Sequence, residues 1–192
     1  LHGWGIDVAV WPLTDESAPD AAIMRRAAAA AGVRTVGDLA GATLIVDAVF
    51  GTGLCRPVVG RHAKVIEAMA AHEAPIVAVD VPSGLDAGTG AVLGAAARAV
   101  ATVTCGSLKV GQLAEPGASL VGELHLIDIG IPVGVVPMVG ELPEPVDLAP
   151  LWPIRDGGDH KRSSGHLYVV AGSSAMAGAA MLTCVGALAA GV

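Results

Sequence analysis

Two aspartates stand out because a glycine turn follows each of them. Asp47 lies four residues before Gly51, and Asp80 lies four residues before Gly84. The two acids are 33 residues apart, which is about the length of one β-α-β repeat. The carboxyl ends of parallel strands meet at one edge of an open sheet, where such folds bind ligands. The spacing therefore predicts a shared site at that edge, although each aspartate could instead cap its own turn.

The segment after Asp47 has the composition of an anion-binding turn. Gly51 and Gly53 permit a sharp turn with exposed backbone N–H groups, and Arg56 adds a guanidinium that can bind an anion through two hydrogen bonds. The N-terminus of the next predicted helix would add partial positive charge. We therefore predict a phosphate-binding loop, the alternative being a βα turn that needs glycine for structural reasons alone. The dinucleotide fingerprint is incomplete, because Arg56 occupies the place of its third glycine.

The remaining polar positions suggest less. Asp47, Ser83 and turn carbonyls offer only oxygen ligands, which favour a hard cation over zinc or copper. Lys109 follows a predicted strand and could meet an anionic ligand, but a solvated loop lysine is equally compatible, and Asp128 is typical of a structural turn. The three cysteines are too far apart for a zinc or redox pair, and they are typical of a reducing, cytoplasmic protein: Cys55, Cys105 and Cys184. No histidine is placed to activate Cys55.

Composition excludes several classes of protein. Of 192 residues, 53% are hydrophobic and 15% charged, the latter well below the usual value of about 25%. This apolar content can bury a core and excludes a disordered chain. A net charge of −7 without a basic stripe excludes binding to nucleic acid or to an anionic membrane surface. A coiled coil is excluded because alanine and glycine stand where charged helix formers should be.

Strands and helices alternate along the predicted fold. The expected helices span 19–31, with Ser17 as its N-cap and Gly32 just after its end, and 61–72. The apolar run at 44–50 is typical of a strand covered on both faces. This order predicts a Rossmann-like three-layer α/β/α fold with a mostly parallel sheet. Its strands are expected at 6–11, 44–50, 76–81, 99–105 and 123–129.

A proline-rich segment divides the chain. Six of the 12 prolines fall within residues 132–153, which therefore suit neither a helix interior nor a central strand and are predicted to be a linker. The linker separates a first domain, residues 1–131, from a second α/β segment, residues 154–192, with a strand at 167–171 and a helix at 175–192. Glycines and serines interrupt this uncharged stretch, so we expect a buried helix and no membrane span.

Several segments together resemble the NAD(P)H-hydrate epimerase family. They are VDAVFGTGLCRP, VAVDVPSGLDAGTG, TVTCGSLKVG and HLIDIGIP. A later segment, HKRSSGHLYVVAGSSAMAGAAML, resembles the start of the ADP-dependent NAD(P)H-hydrate dehydratase domain, which implies the opening of a ribokinase-like fold. Their order, with the proline-rich join, is similar to that of bacterial bifunctional repair proteins.

This resemblance implies a reaction and its site residues. The substrate would be hydrated NADH or NADPH, whose R and S forms the epimerase interconverts at C6. The dehydratase would then remove water from the S form at the expense of ADP or ATP, with magnesium. Asp80 would be the catalytic group, and Asp47 and Ser83 would hold a potassium ion; a homo-oligomer is also compatible. The hydrated nucleotide would bind Asp80 and the loop formed by Gly51, Thr52, Gly53, Leu54, Cys55, Arg56 and Pro57.

Two features of the family have no counterpart in this sequence. The Asn-Asn-Gly-Gly-Asp loop, which contributes to nucleotide and potassium binding, does not occur, and the Gly-x-Gly-Asp region of the dehydratase would lie beyond Val192. We therefore expect a chain truncated at both ends, with weak or absent catalysis. The alternatives are an inactive epimerase-like nucleotide-binding module and a ribokinase-like small-molecule kinase. A dehydrogenase fits less well, because the third glycine is missing.

Overall fold

The structure, a computed structural model, describes residues 1–14, 18–132, 134–135, 138–151, 158, 166–173 and 176–190. These residues form two compact units, one within Leu1–Val135 and the other within Val136–Val192. Three features of the sequence prediction lie outside the described residues: the N-cap Ser17, the linker prolines 137 and 153, and the segment 160–165. The predicted domain limits at residues 131 and 154 stay predictions.

Two parallel sheets make up the framework of the first unit. The smaller sheet pairs β1 (Ala9–Val10) with β2 (Arg34–Thr35). The larger sheet has four parallel strands in the order in which they occur along the chain. The predicted mostly parallel α/β fold is thus confirmed. The four strands are β3 (Ile45–Asp47), β4 (Ile76–Val79), β5 (Ala101–Cys105) and β6 (Glu123–Ile127).

Three helices accompany these strands: α1 (Pro19–Ala30), α2 (Gly60–Ala70) and α3 (Val110–Leu113). Helix α1 is rich in alanine, the best helix former, and has proline in its first turn, where no N–H is needed. It ends as predicted at Gly32, whose φ of 83° is left-handed. The N–H of Val33 then donates to the carbonyl of Ala28 at 3.0 Å, which completes a Schellman motif.

One face of the larger sheet is buried with α2. Ile45 and Ile76, which are register partners on β3 and β4, belong to one apolar cluster with Ile66 and Met69 of α2. Helix α2 places Ile66 and Met69 three residues apart, so both lie on its inner side. Because β3 and β4 are held from this side, the residues at their carboxyl ends have a rigid support.

The opposite face of the sheet is more open than predicted. Side chains alternate along a strand, so Ile45 and Asp47 share the buried face and Val46 points to the other. Val46 is 48% exposed, and Val79 of β4 is 40% exposed on the same side. The prediction that the 44–50 strand is covered on both faces is therefore wrong for the described residues.

The described part of the second unit contains two α-helices, one of four and one of 13 residues. Helix α4 (Pro145–Leu148) falls inside the predicted linker and begins at a proline, the position where proline is compatible with a helix. Helix α5 (Gly178–Ala190) confirms the predicted final helix, but none of its described residues is buried, so the expected burial of this helix is wrong. The predicted strand at 167–171 is wrong: residues 166–173 are not in a strand, and no strand among the described residues pairs with them. Within the described part of the chain, no helix is both long and apolar enough to span a bilayer.

Candidate functional site

The carboxyl edge of the larger sheet gathers the predicted acidic residues. Asp47 is the last residue of β3, and Asp80 directly follows β4. The two strands are parallel, so both residues lie at the same edge. The register pairs Asp47 with Ala78, so Asp80 lies two residues farther out and the acids are not register partners. This offset gives the two carboxylates different neighbours.

Asp47 joins the end of β3 to the turn that follows β4. The Ser83 hydroxyl donates to Asp47 Oδ1 at 2.5 Å, and the Ser83 N–H donates to Oδ2 at 2.8 Å. The Phe50 N–H in turn donates to Ser83 Oγ at 2.8 Å. Asp47 is only 1% exposed and Ser83 is fully buried. Buried polar groups need such partners, so this network determines how the segment after β3 is held against the turn after β4.

The donor set around Asp47 fits a hard cation. Among the described residues no basic side chain forms an ion pair with Asp47, and a buried carboxylate without a counter-charge is unfavourable. Carboxylate and hydroxyl oxygens are ligands for hard cations. The described part of the chain holds no group of three or more histidine, cysteine or acidic residues that could bind a metal. Asp47 and Ser83 as ligands of the potassium ion that the resemblance implies stay a prediction.

Asp80 has an unusual backbone conformation. Its φ is 69°, the one positive φ of a non-glycine residue in the described ranges. Left-handed backbone is unfavourable for most residues and is often found at functional sites. The Asp80 N–H donates to the carbonyl of Val103 at 2.8 Å, and the Gln112 side-chain amide donates to the Asp80 carbonyl at 2.7 Å. Tertiary contacts on both sides thus hold this conformation.

The two carboxylate oxygens of Asp80 have different surroundings. Oδ1 accepts hydrogen bonds from Lys109 Nζ at 2.5 Å and from the Cys105 N–H at 3.2 Å. Oδ2 faces the predicted phosphate loop: it lies 3.3 Å from the position that a Cβ atom on Gly51 would occupy. One oxygen is therefore engaged by β5 and the residues after it, and the other is directed toward the loop.

The surroundings of Asp80 favour its ionised form. Partial burial acts to raise the pKa of its carboxyl group. The hydrogen bond and charge of Lys109, together with hydrogen bonds from the N–H groups of Cys105 and Thr52, lower this pKa by more than burial raises it. The net effect is a pKa below the ordinary value of 3.8. Asp80 is therefore a carboxylate at neutral pH, able to accept a hydrogen bond or a proton.

We expect the depressed pKa of Asp80 to make stability depend on pH. The ionised group stabilises the folded state above the unfolded pKa, and this contribution is lost as pH falls through the lower folded pKa. The difference in the free energy of unfolding between wild type and Asp80→Asn should therefore shrink between pH 6 and pH 2.5. Urea unfolding at several pH values measures it, with Asp38→Asn as an exposed control. A difference that stays constant across this range would contradict the prediction.

The predicted phosphate loop is largely exposed at this edge. The Leu54 N–H donates to the Gly51 carbonyl at 3.3 Å and closes a turn, and the half-buried Leu54 side chain packs against the core. Arg56 forms no hydrogen bond or ion pair with the described residues, so its guanidinium is available to a ligand. Helix α2 begins only at Gly60, so the residues exposed in this loop precede the helix rather than form its first turn: Thr52, Gly53, Cys55, Arg56 and Pro57.

Gly51→Ala tests the contact between the loop and Asp80. The added methyl group would lie 3.3 Å from Asp80 Oδ2, so the carboxylate must shift by a few tenths of an ångström. We therefore expect the binding of NADPH hydrate, the ligand that the resemblance implies, to weaken about tenfold with little change in stability. Titration calorimetry measures the affinity. Gly88→Ala is the matched control, since its Cβ lies 3.4 Å from a carboxylate oxygen of Asp86 on an exposed loop. Equal effects of the two changes would contradict the prediction.

Lys109 fits neither role that the sequence left open. It is not a solvated loop lysine, because its side chain is only 14% exposed and pairs with Asp80. Thr104 and Gln112, which also contact this cluster, were not identified from the sequence. The available signal was their position near the end of the third strand of the sheet, since Thr104 is its penultimate residue and Gln112 lies in α3, which follows it. Asp128 accepts the Gly130 N–H at 2.8 Å in an exposed turn, as its structural interpretation predicts.

Comparisons with known proteins identify the family of the chain. Residues 1–111, more than half of the chain, match the family described as YjeF-related protein N-terminus. The chain is 42% identical over 142 residues to the protein named bifunctional NAD(P)H-hydrate repair enzyme Nnr from Thermofilum pendens, which covers 72% of this chain and 26% of that protein. The protein of the same name from Mycobacterium tuberculosis is 40% identical over 158 residues, 81% of this chain and 32% of that protein.

A shorter relative matches the same region. The NAD(P)H-hydrate epimerase of Levilactobacillus brevis is 42% identical over 132 residues, 66% of this chain and 61% of that protein. The matched region thus spans between about a quarter and three-fifths of the length of these relatives. The resemblance to epimerases is confirmed, whereas the family match ends before the segment that resembles a dehydratase. The chain belongs to the family of the YjeF-related protein N-terminus.

Proposed function

We propose that this chain carries the epimerase site for hydrated NADH and NADPH. The observation that supports the proposal most strongly is the environment of Asp80: an ionised carboxylate at the ligand-binding edge of a parallel sheet, with one oxygen directed at an exposed glycine loop. The names of the similar proteins, an epimerase and repair enzymes of NAD(P)H hydrate, support this substrate class.

The loop and Asp80 would have different functions in this site. The backbone N–H groups of the exposed Gly53, Cys55 and Arg56 and the unpaired guanidinium of Arg56 would bind the phosphates of the nucleotide, since both are donors suited to phosphate oxygens. Asp80 Oδ2 would then lie beside the hydrated ring and hold or move a proton during interconversion at C6. Asp47 and Ser83 would support the loop through their hydrogen bonds, which hold the segment from Phe50 onward in place.

An NMR assay of the two forms of the substrate tests this function. The purified chain is mixed with the R form of NADPH hydrate, and the appearance of the S form is followed against a protein-free sample. We expect binding and a weak acceleration that Asp80→Asn removes; the acceleration is weak because the sequence lacks the Asn-Asn-Gly-Gly-Asp loop. Binding without acceleration would identify a nucleotide-binding module in place of an enzyme, and absence of both would overturn the proposal.

We also propose that Asp47 and Ser83 bind potassium, which would supply a fixed positive charge near the nucleotide. Potassium chloride should raise the thermal unfolding midpoint of the chain more than choline chloride at equal ionic strength, because a ligand of the folded state stabilises it. Differential scanning calorimetry of wild type and Asp47→Asn checks this prediction. Equal responses to the two salts in wild type, or an undiminished potassium effect in Asp47→Asn, would contradict it.

The second part of the resemblance leads to a further proposal. Residues 154–192 would open an ADP-dependent dehydratase domain that uses ADP or ATP with magnesium. The name of the similar Mycobacterium tuberculosis protein supports this, because it describes a bifunctional NAD(P)H-hydrate repair enzyme. Residues 167–192 carry no aspartate, glutamate, lysine or arginine, so the magnesium and nucleotide ligands of such a domain would come from outside this stretch.

A further inference from the structure

One short segment holds both the carboxylate and the backbone of Asp80. Lys109 Nζ donates to Asp80 Oδ1, and Gln112 Nε2 donates to the Asp80 carbonyl at 2.7 Å. The two residues are also joined to each other, since the Lys109 N–H donates to Gln112 Oε1 at 2.8 Å. Gln112 is only 1% exposed, and both polar atoms of its amide are used in this way.

Lys109 has no donor left for a ligand. Its ammonium group also donates to Thr104 Oγ1 at 2.8 Å and to the Cys105 carbonyl at 2.9 Å. With the bond to Asp80, these contacts occupy all three N–H groups of the ammonium. An effect of Lys109 on a bound nucleotide must therefore pass through Asp80.

We propose that Lys109 and Gln112 are positioning residues that determine which oxygen of Asp80 meets the substrate. Lys109 engages Oδ1 and leaves Oδ2 toward Gly51, while Gln112 secures the left-handed backbone from which the carboxylate projects. The inference rests on the epimerase function proposed above, because it assigns the reactive oxygen of that site. Neither side chain contacts the substrate in this arrangement, so both act through Asp80.

Three variants separate the two contributions. Lys109→Met removes the charge while nearly keeping the length of the side chain, and Lys109→Arg keeps the charge. Gln112→Met removes both hydrogen bonds of the side-chain amide. We expect kcat of Lys109→Met and Gln112→Met to fall by about 10- to 100-fold, because displaced catalytic groups lose activity on this scale, with KM nearly unchanged. Lys64→Met, on the exposed side of α2, is the control and should retain wild-type kinetics.

The pH profile distinguishes positioning from simple destabilisation. Loss of the Lys109 charge should raise the pKa of Asp80, so the acidic limb of the kcat profile should move to higher pH in Lys109→Met. The limb should stay in place in Lys109→Arg and Gln112→Met, which keep a positive charge beside Asp80. Unchanged kcat and an unmoved acidic limb in folded Lys109→Met would overturn the inference.

NMR spectroscopy tests the inference independently of enzymatic turnover. In wild type and Lys109→Met, the ¹³C carboxyl resonance of Asp80 is followed against pH, and the Thr52 amide resonance reports on the loop beside Oδ2. We expect a higher titration midpoint in Lys109→Met and a displaced Thr52 resonance in Gln112→Met. These shifts in a chain without turnover would leave the positioning intact and refute the epimerase function, whereas turnover with neither shift would refute the positioning alone.

Discussion

Asp80→Asn is expected to reduce the interconversion of R and S NADPH hydrate by about 100- to 10,000-fold, the range typical of a lost acid–base group. The amide cannot accept a proton as the carboxylate does, yet its oxygen can still accept the Lys109 and Cys105 hydrogen bonds. Asparagine also tolerates the left-handed φ of 69° at this position. The loss should therefore come from the chemistry of the side chain and not from unfolding.

The measurement is the NMR assay of the two forms, with far-UV circular dichroism to confirm the fold. Asp128→Asn is the matched control, since Asp128 accepts one backbone N–H in an exposed turn and an asparagine oxygen can replace it there. Wild-type turnover in Asp80→Asn would remove Asp80 from the mechanism. An equal loss in Asp128→Asn would show that the assay responds to the loss of any carboxylate at this edge of the sheet.

The second large effect is on stability. Asp47→Ala should lower the free energy of unfolding by about 2–4 kcal/mol, because it leaves the buried Ser83 N–H without its acceptor and the hydroxyl with only the Phe50 carbonyl, at 3.3 Å. The same change should loosen the segment from Phe50 onward, whose N–H is held by Ser83. Urea unfolding followed by tryptophan fluorescence or circular dichroism measures the difference.

Asp38→Ala is the matched control for this change. Asp38 accepts one backbone N–H on the exposed surface, so its removal should cost less than about 0.5 kcal/mol. Ser83→Ala should fall between the two, since it removes the hydroxyl but keeps the N–H bond to Asp47. A loss for Asp47→Ala no larger than that of Asp38→Ala would show that the buried network contributes little to stability.

Local pattern was sufficient for much of the fold. The alternation of apolar runs with alanine-rich segments predicted the parallel sheet, and Gly32 marked the end of α1 because its left-handed φ is easily reached only without a side chain. The apolar run at 44–50 led to the wrong prediction of a strand covered on both faces, because apolar content alone does not show whether both faces are covered. The strand predicted at 167–171 failed for a related reason: a strand depends on a partner, which its own residues do not encode.

The site divides in the same way. Asp47, Asp80 and the glycine loop could be located from the sequence because each directly follows an apolar run, and the ends of parallel strands share an edge. The pairing of Asp80 with Lys109, which lies 29 residues farther along the chain, could be seen only in the tertiary structure. Only the placement of β5 beside β4 brings these residues together, and only then does a lysine that could have been solvated become the buried partner that lowers the pKa of Asp80. Residue types supplied the reactive groups, while tertiary packing decided their neighbours, because electrostatic and hydrogen-bond energies depend on distance in space and not along the chain.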